Sequence, residues 1–352
     1  MKQGKSLLEL AQEVERQSQA KKDFLAMTDV LSYVGNENSL VIPGQGKFGV
    51  NETAHDQLGS SLGIPAKYYD RMRQEAPDLL QANVNRWLAH SPERKMVRTL
   101  DGNVRAFLSD KYRPLDNREL LETVLPVLGK QEMQVVSSEV TERRLYLKVL
   151  TPKVTYEIVK GDVVQAGLVI SNSEIGGGSL TVEPLLYRLV CTNGMIANDS
   201  KMRKYHVGRG NNGFSEGAAE FFRDETRMQD DRAFWLKVRD LVGAAVDSIN
   251  FQKIAESFFA TKENVIEADP VKVVEVFSKD NGLNQGERNS VLKHLLAGGD
   301  LNQFGLLNAV TRSAQDIESY DRATQFERLG GTVLELPRTE WKRLNEEALA
   351  IQ

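Results

Sequence analysis

The sequence predicts an α+β fold, in which a mainly antiparallel sheet with packed helices is followed by a mostly helical C-terminal part. Two patterns support this prediction. Between residues 95 and 170, short apolar runs alternate with turn residues, as in β-hairpins. After residue 214, apolar residues recur instead at helical spacing. The 352 residues suffice for two domains, and a Gly- and Asn-rich stretch at 210–217 separates the predicted domains 1–213 and 214–352.

Helical patterns dominate most of the first 90 residues. The segment Ser6–Lys22 places apolar residues at helical spacing and predicts an amphipathic helix. Residues 29–50 predict short strands and turns. Further helices are predicted over Thr53–Leu62 and Tyr68–Leu88, with an interruption near Pro77.

The predicted sheet begins with a hairpin. The runs Met96–Leu100 and Val104–Leu108 flank Asp101-Gly102-Asn103, a strong hairpin signal. A helix is predicted over Asn117–Leu128. The strands that follow are Gln134–Val140, Arg144–Leu150 and Val163–Ile170. We expect hairpin, helix and strands to form one unit with a mainly antiparallel sheet.

The rest of the chain is mostly helical by pattern. Leu180–Cys191 fits either a strand or a helix, and a short strand is predicted at Thr332–Leu336 before a final polar helix. The predicted helices lie within Phe214–Ala260 and over Pro270–Lys279, Gly286–Leu296 and Phe304–Tyr320.

The composition is that of an ordinary globular protein, with 41% hydrophobic and 27% charged residues. We expect a cytoplasmic protein without a membrane segment, since no apolar run approaches the roughly 20 residues of a span. No signal peptide is apparent, and a single cysteine excludes an intrachain disulfide. Residues 1–213 carry 28 Lys and Arg against 25 Asp and Glu, whereas residues 214–352 carry 17 against 24. A mildly basic front half therefore precedes an acidic rear half.

Signals for catalysis are weak. The four histidines are far apart and only one cysteine is present, so we predict no metal site of that type and no cofactor. Cys191 lies in an apolar run and is better interpreted as a small buried residue than as a nucleophile. Complete phosphate-binding fingerprints are absent. We assign no catalytic residue, although carboxylates brought together by folding remain an alternative.

Basic residues give the strongest binding signal. They could neutralise phosphates if the strands bring them onto one face, while neighbouring tyrosines stack on bases. A solvated sheet face is the alternative for any single residue, whereas the run Lys201–Arg209 as a whole favours binding. The predicted nucleic-acid-binding residues are Arg98, Arg105, Lys111, Tyr112, Arg113, Arg144, Lys148, Arg188, Lys201, Arg203, Lys204, Tyr205, His206 and Arg209.

A glycine triplet, Gly176, Gly177 and Gly178, follows the polar turn Ser171-Asn172-Ser173-Glu174. Consecutive glycines allow a sharp turn or the close approach of another molecule. We therefore predict a flexible loop at this position.

Several motifs resemble a known family. They are Leu108–Asn117 (LSDKYRPLDN), Val169–Gly176 (VISNSEIG) with Arg188–Gly194 (RLVCTNG), Leu62–Pro65 (LGIP) and Phe304–Thr311 (FGLLNAVT). Together they resemble the phage- and plasmid-like proteins of a family catalogued as domain of unknown function 932. The resemblance implies a role in phage or plasmid nucleic-acid metabolism, or in countering host defence, and it transfers no catalytic residue.

The order of hairpin, helix and three strands is similar, at the level of architecture, to single-strand annealing proteins of the phage Redβ and recombination-mediator type. That likeness implies a homo-oligomer holding single strands in a basic groove. We thus expect a phage or plasmid protein that binds single-stranded DNA, with RNA also possible, in annealing or recombination.

Two alternatives remain open. One is a protein-interaction or defence-countering factor, whose acidic rear half docks a host protein. The other is a metal-dependent nucleic-acid enzyme that uses carboxylates such as Asp110, Asp116 and Glu174.

Overall fold

The computed structural model describes residues 1–112, 114–159, 161–178, 180–197, 224–244 and 248–351, which form two β-sheets with helices packed against them. The helices are α1 (Leu7–Ala20), α2 (Glu52–Ser61), α3 (Ala66–Glu75), α4 (Pro77–His90), α5 (Asn117–Lys130), α6 (Asp224–Ala244), α7 (Ser248–Ala260), α8 (Pro270–Asp280), α9 (Gln285–Gly298), α10 (Gln303–Ser313), α11 (Tyr320–Leu334) and α12 (Arg338–Ala350). The strands are β1 (Lys22–Met27), β2 (Ser32–Val34), β3 (Ser39–Ile42), β4 (Gly46–Val50), β5 (Arg94–Leu100), β6 (Asn103–Ser109), β7 (Gln134–Val140), β8 (Leu145–Val159), β9 (Asp162–Asn172), β10 (Thr181–Arg188) and β11 (Asn193–Ile196).

Local sequence signals explain where several helices begin. Ser6 caps α1 and forms a capping box with Glu9, because each side chain accepts a backbone N–H from the other residue. Pro77 and Pro270 occupy the first helical positions of α4 and α8, where their missing N–H has no intrahelical partner to lose. These positions agree closely with the predicted helix starts.

The first sheet has six strands in the order β1-β5-β6-β4-β3-β2 and is antiparallel except for the β4–β6 pair. One face packs on α2, α3 and α4, through buried residues such as Leu58, Met72 and Val84 against Val97 and Phe107. The opposite face carries Asp23 and Arg98 as directly paired neighbours. That face is turned toward the second sheet.

The second sheet has five antiparallel strands in the order β11-β10-β9-β8-β7. Its first face packs on α1, α5 and α6 at one end, and on the C-terminal helices at the other. Val238 of α6 shares a core with Leu147 and Ile170, whereas Phe258 of α7 shares a core with Ala166. Helices that follow residue 214 in the chain therefore pack on the five-stranded sheet, whose strands all precede that residue. The predicted boundary between residues 213 and 214 lies outside the described residues.

Helix α11 crosses the second face of this sheet through polar contacts. Tyr146 of β8 donates to Asp321 at 2.8 Å, and Arg328 pairs with Glu183 of β10 at 2.7 Å. Between them Lys148 and Glu327 form a 2.6 Å ion pair in which both side chains are 0% exposed. The ring of Tyr320 lies 4.5 Å from the Lys148 ammonium.

The α+β fold class and the helical C-terminal region are confirmed. Three details differ from the prediction. The helix predicted over Phe304–Tyr320 ends at Ser313, and Tyr320 begins α11. The hairpin β5–β6 belongs to a different sheet from β7, β8 and β9, because β6 pairs with β4 on its other side. Thr332–Leu334 lies in α11 rather than in a strand, since this segment continues the amphipathic helix that buries Val333.

Protonation of His55 should make the protein sensitive to acid. Burial lowers the pKa of His55 to about 4, and its Nδ1 lies 2.7 Å from the buried hydroxyl of Tyr69. The unfolded chain, with a histidine pKa of about 6.5, takes up the proton first as the pH falls. The stabilisation is complete above pH 6.5 and is lost toward pH 4, by about 3 kcal/mol in total. Denaturant titrations across this range should show that His55→Asn removes this part of the pH dependence of the free energy of unfolding. The control His90→Asn, at an exposed site, should keep it. The assignment is contradicted if the free energy of unfolding changes equally with pH in the wild type and in His55→Asn.

The pair of Lys148 and Glu327 should show strong coupling. Lys148→Met leaves the Glu327 carboxylate buried without its cation, at a cost of about 3–5 kcal/mol in the free energy of unfolding. The double variant Lys148→Met/Glu327→Leu removes both charges and should be clearly more stable than the sum of the single changes implies. Additive effects in a denaturant double-mutant cycle would show that the two groups do not depend on each other.

Candidate functional site

The two most distinctive sequence motifs meet in space. The segment 109–117 leads from β6 into α5, and the segment 171–176 comprises the end of β9 and the turn after it. Asn172 Nδ2 donates to the Leu115 carbonyl at 2.7 Å and to Asn117 Oδ1 at 2.9 Å. The Asn117 backbone N–H donates in turn to Glu174 Oε1 at 2.7 Å. Both segments lie over the face of the first sheet that carries Asp23 and Arg98.

Six charged residues form what we term the junction network. It contains equal numbers of cations and carboxylates, so that the network is neutral as a whole. The cations are Lys21, Arg98 and Arg105, and the carboxylates are Asp23, Asp116 and Glu174. They come from the end of α1, from three strands of the first sheet, from the start of α5 and from the turn after β9.

Arg98 lies at the centre of the network with a side chain that is 0% exposed. Its guanidinium donates to both carboxylate oxygens of Asp23 at 2.8 and 2.9 Å, and to Asp116 at 3.0 Å. A further N–H donates to the Glu174 carbonyl at 2.6 Å. Burial disfavours the charge, but the bonds to Asp23 and the attraction of Asp116 outweigh it and hold the pKa of Arg98 above its ordinary value.

The Asp116 carboxylate is held in its ionised form in this environment. Burial alone would raise the pKa of Asp116, but Arg98 and then Lys21 outweigh it and keep that pKa below its ordinary value. The Lys21 ammonium lies 2.6 Å from Asp116 and 3.4 Å from Glu174, so that it bridges the two motifs.

A β-bulge brings Arg105 into the same network. Arg98 pairs with Ala106, and the register between β5 and β6 shifts at the next position, which leaves Arg105 as the extra residue. Bulges re-aim side chains, and here Arg105 reaches the Glu174 carboxylate at 2.7 Å on the side where Arg98 also lies. In a regular strand, Arg105 and Ala106 would point to opposite faces.

The glycine triplet forms an exposed loop beside the network. Gly176 adopts a φ of +74° and lies over Leu108, where a β-carbon would approach to 2.7 Å. Its N–H donates to the Tyr112 hydroxyl at 3.3 Å. Arg144 donates to the Gly177 carbonyl at 2.8 Å and to Ser171 Oγ at 3.3 Å. The conformation thus requires glycine, while the flexibility of the loop stays a prediction.

The structure distributes the predicted nucleic-acid-binding residues over separate places. Arg98, Arg105, Tyr112 and Arg144 lie at the junction of the two motifs, and Lys111 is exposed in the turn after β6. Burial raises the pKa of the Tyr112 hydroxyl, which lies 3.4 Å from the Ser173 carbonyl. Tyr112 is thus engaged within the protein rather than presented as a platform for a base.

Lys148 and Arg188 lie away from this junction. Lys148 is buried beneath α11, and Arg188 binds both carboxylate oxygens of Asp162 at 2.6 and 2.8 Å, with Asn308 at 3.0 Å. The expectation of a shared basic face on the strands is therefore wrong for Arg98, Arg105, Lys148 and Arg188. These cations neutralise internal carboxylates, and Arg98, Arg105 and Lys148 are buried beyond the reach of a phosphate.

The remaining predicted residues lie outside the described part of the chain. They are Arg113, Lys201, Arg203, Lys204, Tyr205, His206 and Arg209.

The acidic partners of these cations, chiefly Asp23, Asp162 and Glu327, were not predicted from the sequence. A signal was present in the strands themselves. Arg98 follows Val97 within a strand, and Lys148 stands between Leu147 and Val149. A cation flanked by apolar residues of a strand, as Lys148 is, is expected to need a buried counter-charge, but the sequence does not reveal which carboxylate supplies it.

The junction network is suited to structural rather than acid–base chemistry. Each of its carboxylates contacts at least one cation, and Asp110 pairs separately with Arg94 at 3.1 Å. Among the described residues, no group of three or more His, Cys, Asp or Glu is arranged to hold a metal ion. None of the helices in that part of the chain is long and apolar enough to cross a membrane.

The fold and the junction network thus define an α+β protein of two sheets joined by buried ion pairs. The family model "Domain of unknown function (DUF932)" matches residues 105–335, and the chain belongs to this family. The matched region includes Arg105, Asp116 and Glu174 of the junction network, whereas Lys21, Asp23 and Arg98 precede it. No curated protein and no solved structure shows a significant match to the chain.

Removal of the Glu174 carboxylate should destabilise both sheets together. Glu174→Ala leaves Arg105, Lys21 and the Asn117 N–H short of a buried acceptor, and we expect the free energy of unfolding to fall by about 3–5 kcal/mol. Glu75→Ala serves as the matched control, because Glu75 forms an exposed ion pair with Arg71 and should cost less than about 1 kcal/mol. A loss at Glu174 no larger than at Glu75, measured by denaturant unfolding, would contradict the structural role of the network.

Proposed function

We propose that the protein binds single-stranded nucleic acid through the basic segment Lys201–Arg209. The observation that carries this proposal is the composition of the segment. Between Lys201 and Gly213 the chain contains Lys and Arg at four positions and a histidine, and no Asp or Glu. Such an acid-free run attracts a phosphate backbone, and Tyr205 within it offers a ring on which a base can stack.

The cations on the strands are paired within the protein, and this leaves the segment Lys201–Arg209 as the candidate for binding phosphates. The cations on the strands are neutralised by carboxylates of the protein itself: Arg98 by Asp23 and Asp116, Lys148 by Glu327, and Arg188 by Asp162. These strand residues are consequently withdrawn as phosphate contacts. The segment Lys201–Arg209 retains positive charge with no acidic residue within it.

The segment lies between two elements anchored in the protein. Before it, the Ala197 N–H donates to the Pro184 carbonyl at 2.9 Å at the end of β11. After it, α6 contributes Phe234, Val238 and Val242 to a buried core. The described residues on either side of the segment in the chain therefore belong to the folded sheet and core, so changes within the segment can be tested against an intact fold.

The proposal extends to the biological setting that the family resemblance implies. We propose a phage or plasmid protein that acts in strand annealing or recombination as a homo-oligomer, with single-stranded DNA as the substrate and RNA as a second possible ligand. An annealing protein must release its strands to base pairing, and contacts to phosphates leave the base edges available.

The salt dependence of binding tests the proposal. Fluorescence anisotropy with labelled oligo(dT), oligo(U) and duplex DNA at several salt concentrations should show single-strand binding that weakens as salt rises. Lys201→Ala/Arg203→Ala/Lys204→Ala should lower the slope of log K against log salt by about two units, since each lost phosphate contact removes about 0.7.

The matched control changes the same net charge elsewhere. Lys67, Lys253 and Lys293 are exposed on α3, α7 and α9. Their triple alanine variant should retain both affinity and slope. If the two triple variants weaken binding equally, the interaction depends only on the net charge of the protein. If the slope of log K against log salt is unchanged in the variant of Lys201, Arg203 and Lys204, the segment Lys201–Arg209 is not the binding segment.

A further inference from the structure

Strand β6 has an edge that is only half covered. β4 pairs with it in parallel at two positions, Gly49 with Asn103 and Val50 with Val104, and the chain then leaves the sheet to begin α2 at Glu52. From Ala106 to Ser109, β6 pairs with β5 on one side. On its other side, no strand of the described residues pairs with this part of β6.

The backbone polarity of this edge follows from one hydrogen bond. The Phe107 N–H donates to Gln57 Oε1 of α2 at 2.8 Å, so the N–H and C=O of Phe107 point away from β5. Because these directions alternate along an antiparallel pair, those of Ser109 point the same way. The Ser109 carbonyl accepts from the Tyr112 N–H at 3.0 Å. The Phe107 carbonyl and the Ser109 N–H therefore face outward.

A groove runs along this edge. It is an open cleft of about 470 Å³ between β6, from Phe107 to Ser109, and α2, from Asp56 to Ser61. Gln57 spans its inner end, since its Nε2 donates to the Ile175 carbonyl at 2.7 Å. The groove thus has a strand edge on one wall and the hydroxyl groups of Ser60 and Ser61 on the other.

The charge of the groove favours a cationic occupant. Asp56 is exposed on its helical wall and has no ion-pair partner among the described residues. Among the described residues, one cation lines the groove, Lys95, and it is paired with Glu93 at 2.7 Å. A phosphate backbone would meet the unpaired carboxylate of Asp56, whereas a lysine or arginine side chain would be attracted by it.

We propose that this groove binds an extended peptide of a partner protein, which adds as a strand to the open edge of β6 and directs a basic side chain to Asp56. The outward carbonyl of Phe107 and the N–H of Ser109 supply the main-chain hydrogen bonds of such β-augmentation. The helical wall supplies selectivity through Asp56. None of the residues that line this peptide site belongs to the basic segment, and the proposal does not rest on nucleic-acid binding.

Two labelled pentapeptides test the proposal, Thr-Val-Arg-Val-Thr and Thr-Val-Glu-Val-Thr, each acetylated and amidated. In fluorescence anisotropy with the full chain, the arginine peptide should bind at least about tenfold more tightly than the glutamate peptide. Asp56→Arg should reverse this preference. Asp70→Arg, which makes the same charge change at an exposed site on α3, should leave it unaltered.

Hydrogen exchange gives a readout that does not depend on charge. The arginine peptide should slow exchange at the Ser109 amide, because that N–H becomes bonded to the added strand. The proposal is overturned if neither peptide binds, if Asp56→Arg leaves the preference unchanged, or if the bound peptide leaves Ser109 unprotected. Competition by oligo(dT) that releases the peptide and protects Ser109 would instead assign the groove to nucleic acid and would equally overturn it.

Discussion

The buried guanidinium group of Arg98 must be neutralised inside the protein, and that requirement fixes the relation between the two sheets. Asp23 and Asp116 supply the negative charge, and the Glu174 carbonyl accepts a hydrogen bond from a further N–H of the guanidinium. These acceptors belong to a neighbouring strand, to the start of α5 and to the turn after β9. A shift of either sheet would separate an ionised group from its partner in a poorly hydrated site, which costs far more than the loss of an exposed ion pair.

The same principle explains the second contact region. Helix α11 lies on the five-stranded sheet through Lys148 and Glu327, whose side chains are both 0% exposed, and through the pair of Arg328 and Glu183. An apolar interface would tolerate sliding of the helix along the sheet, whereas paired charges select one position. The ion pairs of α11 therefore fix its position along the sheet, in addition to the apolar packing of the C-terminal helices.

Local signals made much of the fold predictable. The capping residue Ser6, the helix-initiating Pro77 and Pro270, and the turn Asp101-Gly102-Asn103 act over a few residues, and the elements they mark lie where the sequence places them. The division into two sheets was not predictable, because it depends on β6 pairing with β4, about 50 residues earlier in the chain.

The contacts of the candidate site were even less predictable, again because they join residues that are far apart in the chain. The motifs around Asp116 and Glu174 were recognisable as distinctive, but the internal ion pairs of Arg98 and Arg105 beside them, and of Lys148 and Arg188 elsewhere, were not. An arginine in a strand has the same sequence signature whether it faces solvent or a buried carboxylate. Glu327 lies 179 residues from Lys148, and no local pattern connects the two. Nucleic-acid binding therefore stays a hypothesis from the basic composition, and the burial of Arg98, Arg105 and Lys148 removes these residues from it.

The partners of several ion pairs are far apart in the sequence. During synthesis, such an ion pair can therefore form only after the later partner has been added to the chain. β1, β5 and β6 leave the ribosome well before Glu174, which follows Arg98 by 76 residues. Until Glu174 has been synthesised, Arg105 lacks its carboxylate and Arg98 lacks one of its acceptors. Water must then hydrate both side chains on the face of the first sheet that carries Arg98. In the nascent chain, the face of the first sheet that carries Arg98 is covered completely only after the turn that follows β9 has been synthesised. Slow translation between β6 and β9 would prolong exposure of that face to chaperones and to other nascent chains.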